Sequence, residues 1–582
     1  MASVEAVTVI EIDMDFCTRT FGVGACNAVL DAANPQKCYN TYVTCAYRQA
    51  YNKGVNTLRF ISQSRPIRGE NYYPALVSVT GHEQEVNIAG FTPNMGGIGV
   101  RASVKIRLND FPDNDALTDK YMTERVSGAA QLGPGYNPKD RGSFWTKFKA
   151  RTPNYSGRPL RVIEGYLNSA GAVVPVRTRA YIISEIEGPG NNGQVTILAK
   201  DILSLADNEK AKAPVQSRGR LRNDMDDSQT SFVLSEPGVG NAEYPASGWI
   251  VIGSEIMSFT RTNNTFTVVR GRKGTQASSH SVDDSVQLCF NVANQRADVV
   301  IRNLLRDYAG IPTAYIPFAE WQAEFSRWGA NLVLNATICK PEGVVKLLSE
   351  ICELGITIWW DEVAQLIRLR LNHPPEQVPV TLDDRNNNIA ISRDDNDADR
   401  ATRVAMWTVQ IDPTKGLNED NFIRGYYSWG LEEESPDFYN QTITKTIYCR
   451  WLNQGNDTAS KITTGRLLNR YRRAPVTYVV TVDAKDSIPL VDDVTVYSHV
   501  STDINGLPVP QLTQVSYRQD DWIKGRIEYK LQSFTYDGRY GFITENSRPN
   551  YNASSEAQKI RGAYFVGPSL TFADGAPPYQ FV

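Results

Sequence analysis

The chain has 582 residues, enough for about four domains of the usual size of about 150 residues. Its 41% hydrophobic and 21% charged residues are ordinary for a folded, water-soluble protein, and they argue against disorder throughout the chain and against a membrane protein. The 61 Lys and Arg nearly balance the 64 Asp and Glu, so the net charge of −3 gives no strong overall field for binding a nucleic acid or an anionic membrane.

The N-terminus has no basic segment followed by an apolar run, as a secretory signal would, and no run of about 18 apolar residues occurs anywhere. We therefore expect synthesis in a reducing cytoplasm and no transmembrane segment. In that compartment the eight cysteines are not expected to form a disulfide framework. Four of them are scattered through apolar surroundings and are interpreted as buried core thiols: Cys289, Cys339, Cys352 and Cys449.

The first predicted segment, 1–62, contains the other four cysteines. Cys17, Cys26, Cys38 and Cys45 are separated by 8, 11 and 6 residues. Structural zinc sites usually use two Cys about two to four residues apart in one tight turn, a spacing that neither pair has. A [4Fe–4S] cluster is larger, and its four thiolate ligands can come from more open loops. The spacing leaves three alternatives open: an iron–sulfur cluster, a zinc (Zn) site and free buried thiols.

Side chains near these cysteines suit a buried anionic group. Basic residues that would offset its charge are Arg19, Lys37, Arg48 and Lys53. Aromatic residues that would shield it from solvent are Phe16, Phe21, Tyr39, Tyr42 and Tyr47.

The next segment, 63–222, is predicted to be a β-rich domain. Alternating apolar and polar residues, rich in β-branched side chains, predict strands at 75–80, 98–108, 161–167 and 180–187. The polar stretch 109–154 is interrupted by Gly and Pro, which predicts a long loop with one or two short helices. The charged stretch 207–223 lacks periodicity and is interpreted as a linker.

A small β module is predicted at 223–290, where short strands alternate with turns. The segment 291–400 is predicted to be an α+β domain, in which apolar residues at helical spacing predict helices. Their predicted positions are 300–308, 321–328 and 341–351, followed by a hairpin of 357–360 with 366–371. The hydrophilic stretch 383–400 predicts an exposed loop.

The remaining chain is predicted to be a β-rich domain at 401–544, with one helix at 458–473, and an extended C-terminal arm at 545–582. The predicted fold class is mainly β with an α+β part. It is a multidomain chain of several small β-barrel or β-sandwich modules plus a helical middle segment.

Two glycine-rich sequences match nucleotide-binding loops only in part. Residues 188–193 read Gly-x-Gly-x-x-Gly, but they lie between predicted strands and are interpreted as a hairpin loop. Residues 271–275 lack the Gly-Lys-Ser/Thr end of a phosphate loop and are interpreted as a β turn. No hydrolase signature occurs and the four histidines are far apart in sequence. We expect no catalytic residues and no enzyme activity.

Three regions resemble known phage proteins. Phe16-Cys17…Cys26 and Lys37-Cys38-Tyr39-Asn-Thr-Tyr42…Cys45 resemble the cysteine region of tail tip proteins of phages with long non-contractile tails, to which tail components of gene transfer agents are similar. Residues 252–286, with Glu255, Arg270-Gly271 and His280, resemble a small β module of tail and baseplate proteins. The whole pattern, with a β-rich start, a helical middle and strands from 487 onward, is similar to tail hub proteins.

The resemblance implies that Cys17, Cys26, Cys38 and Cys45 hold a [4Fe–4S] cluster as a structural metal-binding site. It also implies a baseplate hub or tail tip protein of the virion, a ring-shaped homotrimer that closes the tail tube and takes part in genome ejection. The expected partners are the distal tail protein, the tape-measure protein, other baseplate proteins and the central tail fibre, with DNA only in transit. The alternatives are a tail-associated cell-wall hydrolase, a receptor- or carbohydrate-binding tail protein, and a redox or sensing role for the cluster.

Overall fold

The computed structural model describes residues 5–28, 38–62, 71–92, 96–121, 138–373, 375, 378–395, 397–521 and 524–534. The predicted C-terminal arm, 545–582, lies outside these residues. Among the helices described, none has the length and apolarity needed to cross a lipid bilayer.

The described residues of the N-terminal part of the chain form seven strands and one α-helix. They are β1 (Glu5–Cys17), β2 (Lys53–Ile61), β3 (Leu76–Glu85), β4 (Val100–Asn109), α1 (Phe144–Arg151), β5 (Pro159–Leu167), β6 (Val173–Glu187) and β7 (Gln194–Lys200). The strands lie in the order β2-β1-β5-β6-β7-β4-β3 within one antiparallel sheet. The predicted strands and the hairpin loop at 188–193 are confirmed.

Alternation along the strands creates the core of this sheet. In β4 every second residue is buried, and these side chains are Ala102, Val104, Ile106 and Leu108. They belong to one apolar cluster with Trp145 of α1. This burial removes apolar surface from water and is the main contribution to the stability of this part of the sheet.

The predicted first segment, 1–62, shares this sheet with the segment that follows it. β1 pairs with β2 on one side and with β5 on the other. The side chains of Glu11 and Asp13 lie on one face of β1, where Arg59 and Arg161 pair with them across the neighbouring strands.

The residues of the predicted small module form a five-stranded sheet that is separate from the large one. After β8 (Lys212–Ala213), its elements are β9 (Ser231–Val233), α2 (Val239–Glu243), β10 (Ser247–Ile252), β11 (Glu255–Thr262), β12 (Thr265–Arg272) and β13 (Val286–Leu288). The order β13-β10-β11-β12-β9 encloses a core of its own.

The helical middle segment is packed around one large core. Its elements are β14 (Phe290–Arg296), α3 (Ala297–Asn303) with a π-helical turn (Leu304–Tyr308), α4 (Phe318–Trp328), β15 (Val333–Ile338), β16 (Glu342–Gly343), α5 (Val344–Cys352), β17 (Ile356–Asp361) and β18 (Leu366–Leu371). The three predicted helices and the predicted hairpin are confirmed.

One part of the C-terminal region completes the large sheet, and another part, β21 to β23 of the following list, forms a separate three-stranded sheet. Its elements are β19 (Val380–Asp383), β20 (Asn388–Asp395), β21 (Arg403–Gln410), β22 (Phe422–Trp429), β23 (Thr444–Tyr448), α6 (Asp457–Tyr471), β24 (Val476–Asp483), β25 (Asp493–Tyr497), β26 (Gln511–Asp521) and β27 (Arg526–Ser533). Short 3-10 turns lie at Arg48–Ala50, Ile88–Gly90, Pro138–Asp140, Ile202–Asp207, Thr313–Tyr315, Asp397–Asp399, Glu419–Asn421 and Ala484–Asp486. The fold class, mainly β and multidomain with several separate sheets, is confirmed.

The prediction of a loop at 383–400 is wrong in part, because β20 lies within it. β20 pairs with β24 at the edge of the large sheet, and most of its side chains are exposed. An edge strand with a solvated face does not need the apolar alternation by which strands are recognised in a sequence.

The two halves of the large sheet meet where β26 pairs with β3, at Tyr517–Glu85, Arg518–Gln84 and Gln519–Glu83. Beside this joint the fully buried Arg179 of β6 forms ion pairs with Glu164, Glu362 and Asp520. The hydroxyl of Tyr181 donates to the same Glu362 at 2.7 Å. One guanidinium group thus connects β5, the β17–β18 turn and β26.

Candidate metal centre

All four N-terminal cysteines lie in the connection between β1 and β2. Cys17 is the last residue of β1, opposite Lys53 of β2, and the other three follow in the loop between those strands. Cys17 and Cys26 are buried, and Cys38 and Cys45 are partly exposed. The sheet therefore fixes one cysteine directly and leaves the loop to bring in the other three.

Asn40 ties the two halves of this loop together. Its backbone carbonyl accepts from the Cys17 N–H at 2.7 Å, and its side-chain amide donates to the carbonyls of Cys17 at 3.1 Å and Arg19 at 3.4 Å. Its own N–H donates to the Cys38 sulfur at 3.4 Å. Asn40 has a left-handed backbone (φ 59), which Asn adopts more readily than most residues.

The four thiols act on one another electrostatically. Burial is the largest cause that raises the pKa of Cys38, and charge on Cys45, Cys17 and Cys26 raises it further. Burial also raises the pKa of Cys45, as does charge on Cys17 and Cys26, whereas Arg48 lowers it. Each of these two thiols therefore lies near the other cysteines of the set.

Aromatic rings enclose the loop. Tyr42 packs edge-on against Tyr51 with ring centroids 5.3 Å apart, and the Arg48 guanidinium lies 5.3 Å from the Tyr42 centroid. Phe21 packs against Tyr121 at 6.3 Å. The Arg151 guanidinium of α1 stacks on the Tyr39 ring at 3.8 Å. Lys37, one of the basic residues expected here, lies outside the described residues.

Two polar atoms close to the four cysteines, the Tyr51 hydroxyl and the Asn40 side-chain oxygen, are buried. Neither has a hydrogen-bond partner among the described residues. Burial, followed by the charges of Asp15 and Cys17, raises the pKa of Tyr51 to about 12, so this hydroxyl keeps its proton and remains a donor at neutral pH. A buried donor without a partner is costly unless another group accepts from it.

The donor set consists of four thiols, which are ligands for zinc as well as for iron–sulfur clusters. No three or more His, Cys, Asp or Glu side chains of the described ranges are placed to hold one metal ion. A single zinc needs four sulfurs about 2.3 Å from one point. In a [4Fe–4S] cluster each thiolate binds a different iron, and hydrogen bonds to the sulfurs stabilise the cluster. The Tyr51 hydroxyl, on which the charges of Cys17 and Cys45 act, is an unpartnered donor of this kind.

Sequence reasoning missed Asn40, Tyr51 and Tyr121 as parts of this shell. Asn40 stands in the motif between Cys38 and Tyr42, where its place two residues after a cysteine was the only available signal. Tyr121 lies about a hundred positions from the loop it covers, and no local pattern in the sequence marks it.

A second polar cluster lies in the small module and is already satisfied. The fully buried Glu255 forms two hydrogen bonds with Arg270 at 2.8 Å, accepts from the N–H groups of Gly271 and Ser278, and lies 2.9 Å from His280 Nε2. A carboxylate that is fully engaged in this way organises the surrounding loops.

The described histidine side chains are widely separated. His280 lies beside Glu255, His373 lies 3.2 Å from Glu324, and His499 lies 2.6 Å from Asp384. The side chain of His82 lies outside the described residues.

No family model and no curated protein matches the chain. Structural neighbours include phage tail proteins and components of a phage baseplate and of a gene transfer agent. A tail protein from Neisseria meningitidis is 12% identical, with 79% of this chain and 97% of that chain covered and a TM-score of 0.36. A 43 kDa prophage tail protein from Shewanella oneidensis is 10% identical, with 79% and 98% covered and a TM-score of 0.32. A chain of the virion of a native gene transfer agent is 10% identical, with 59% and 94% covered and a TM-score of 0.29.

Proposed function

We propose that this chain is a structural component of a phage tail baseplate or tail tip, a hub in the virion that carries a [4Fe–4S] cluster on Cys17, Cys26, Cys38 and Cys45. The observation that carries the proposal is the approach of these four thiols in one loop whose sequence resembles the cysteine region of tail tip proteins. The unpartnered Tyr51 hydroxyl beside them supports it.

The architecture suits a part that bears load. Strands from both ends of the chain belong to one sheet, and the buried Arg179 connects elements far apart in sequence at the joint. A hub that closes a tube and transmits a conformational change needs domains that move together. The small module, with its own core, is a separate unit on this body.

The cluster would act as a staple. It would hold the end of β1 to the loop that carries Cys38 and Cys45, in a region where few apolar residues are buried. The chain's own residues have defined tasks there. Asn40 fixes the backbone at Cys17 and Cys38, Arg48 offsets charge at Cys45, and the unpartnered Tyr51 hydroxyl would donate a hydrogen bond to the cluster.

The proposal extends to the assembly. The chain would form a homotrimer and contact the distal tail protein, the tape-measure protein, other baseplate proteins and the central tail fibre, with DNA passing through during ejection. The near-neutral net charge of −3 is compatible with a channel through which DNA slides. Native mass spectrometry of the purified chain tests the trimer.

The first experiment measures metal in protein purified without oxygen. We expect a brown protein with about four irons and as many acid-labile sulfides per chain. About one zinc and no colour would replace the cluster with a structural zinc site. If no metal binds even after reconstitution with iron and sulfide, the metal-centre proposal is wrong.

The second experiment tests the role in the particle. In the phage or prophage that encodes the chain, a deletion is complemented with wild type, Cys38→Ser or Cys352→Ala, the last replacing a buried thiol outside the site. We expect Cys38→Ser to abolish normal tails in electron micrographs and Cys352→Ala to retain them. Normal infectious particles with Cys38→Ser would overturn the staple, and normal particles from the deletion would overturn the hub.

A further inference from the structure

A pair of cysteines outside the four-cysteine loop lies where the small module joins β14 and β15, a place called the seam below; β14, β15 and the rest of the chain outside the module are called the body. The sulfur atoms of Cys289 and Cys339 are 3.8 Å apart, and the Cys289 thiol donates to the Cys339 sulfur. Cys289 separates β13 of the module from β14 of the body, and Cys339 directly follows β15. Both side chains are buried.

The strand register places the two residues opposite each other. Phe290 pairs with Ile338, so Cys289 and Cys339 form the next pair along the antiparallel ladder of β14 and β15. The Cys289 N–H donates to the Trp249 carbonyl of β10 at 2.8 Å and is not used toward β15. Residues opposite each other without mutual backbone hydrogen bonds have Cα atoms about 4.5 Å apart, within the range that a disulfide spans.

The surroundings are apolar and join two units. Val251 and Ile256 of the module pack with the two cysteines in a small cluster, with Trp249 against it. A covalent bond here would tie the exit strand of the module to the body. The other two core thiols, Cys352 and Cys449, are buried on α5 and after β23, away from this seam.

We propose that Cys289 and Cys339 form a disulfide when the folded chain meets a small-molecule disulfide as oxidant. The thiolate of one cysteine attacks the oxidant and releases one small thiol, leaving a mixed disulfide. The second thiolate then attacks the protein sulfur of that mixed disulfide, forms the Sγ–Sγ bond and releases a second small thiol. Two protein thiols are oxidised and one oxidant molecule is reduced to two thiols.

The oxidation is slow near neutral pH and accelerates as pH rises. The hydrogen bond to Cys339, followed by burial, raises the pKa of the Cys289 thiol, and only the thiolate attacks a disulfide. The pair therefore stays reduced in a cytoplasm, and it becomes oxidised on exposure to an oxidising medium. That such exposure occurs in a released particle rests on the proposed function, whereas the chemistry does not.

The test uses the purified full chain incubated with oxidised glutathione, then denatured, alkylated and digested with trypsin. Mass spectrometry is expected to find the peptide carrying Cys289 linked to the peptide carrying Cys339, lighter by two hydrogen atoms than the sum of the two thiol peptides. Cys352 and Cys449 should remain alkylated. Alkylation of both seam cysteines, separate glutathione adducts on them, or linkage of either to another cysteine would overturn the proposal.

A second measurement checks the consequence in the folded protein. Hydrogen exchange of β10 and β13 should slow on oxidation, and reductant should reverse the effect. Cys339→Ala, which removes one thiol of the pair, should abolish it, whereas Cys352→Ala should not. Unchanged exchange in a verified disulfide form would mean that the bond does not restrain the module. Iron content is assayed on the same samples, so failure here is distinguishable from failure of the metal centre.

Discussion

At the scale of single residues, Asn40 holds the four-cysteine loop together. It combines a left-handed backbone with side-chain bonds to the carbonyls of Cys17 and Arg19. An Ala at this position loses those bonds and disfavours the backbone conformation, each at a cost of about 1 kcal/mol.

We therefore expect Asn40→Ala to lower the iron retained after anaerobic purification by at least half, measured per folded chain. Asn52→Ala is the matched control, because Asn52 makes only an exposed side-chain bond with Thr18. Equal iron in the two variants would show that Asn40 does not position the ligands.

Glu255 gives the small module a defined pH dependence. Burial raises its pKa, but Arg270, the two N–H donors and His280 lower it more, to about 2. Because the ordinary pKa is 4.5, the stability from the ionised carboxylate is complete above about pH 4.5 and is lost as pH falls toward 2. The contribution is of the order of 3 kcal/mol.

We expect Glu255→Gln to destabilise the module strongly at pH 6 and much less at pH 3, where protonation of the unfolded wild-type chain has already removed part of the stability that the carboxylate contributes. Native-state hydrogen exchange of β11, corrected for the intrinsic rate at each pH, measures this difference. Glu243→Gln in the same module removes only the pair with the largely exposed Arg218 and should cost less than about 1 kcal/mol. A destabilisation by Glu255→Gln that does not change with pH would contradict the assignment.

At the scale of elements, the sequence predicts those helices and strands whose apolar residues recur at a regular local spacing. The stripe of Val344, Leu347, Leu348 and Ile351 predicts α5, and all four side chains are buried. The strand β20 was missed because its neighbour β24, distant in the chain, makes it a strand. The pairing of β1 with β5 was equally invisible, because alternation shows which face of a strand is buried but not which strand lies beside it.

The same division holds at the four-cysteine loop. The spacing of the four cysteines is a local feature and identified the loop. The residues around them, Tyr121 above all, arrive through tertiary packing and could not be read from a single sequence.

The contribution of the helix α6 to stability depends on how its side chains pack in the core. It lies against β21 and β22 and inserts Leu467 into the large core that also contains Val404 and Met406. Removing a fully buried leucine leaves a cavity and typically costs about 2–5 kcal/mol.

We expect Leu467→Ala to lower the urea midpoint of unfolding and to increase hydrogen exchange in β21 and β22. Lys461→Ala on the exposed face of the same helix is the control and should leave both unchanged. Equal behaviour of the two variants would mean that α6 contributes little to this core.

At the scale of the whole molecule, the joint between β3 and β26 makes one body of the two halves. The backbone contact is short, three residue pairs, so the buried charges around Arg179 must contribute to its rigidity. Burial raises the pKa of Asp520, but Arg518, Arg179 and Arg177 lower it more, so the carboxylate stays ionised and paired at neutral pH.

Arg179→Met leaves Glu164, Glu362 and Asp520 without their shared cation in a buried place, a loss that typically costs about 3–5 kcal/mol. We expect faster hydrogen exchange in β26 and in the β17–β18 turn, while the small module, with its separate core, is unaffected. Arg393→Ala, which breaks only an exposed pair with Asp395, is the control. If Arg179→Met does not fold, adding Glu362→Gln removes one uncompensated charge, because the ion pair of Glu362 is with Arg179, and should recover part of the stability. Exchange that rises equally in the module and at the joint would show that Arg179 stabilises the chain in general and does not act as the connection between its halves.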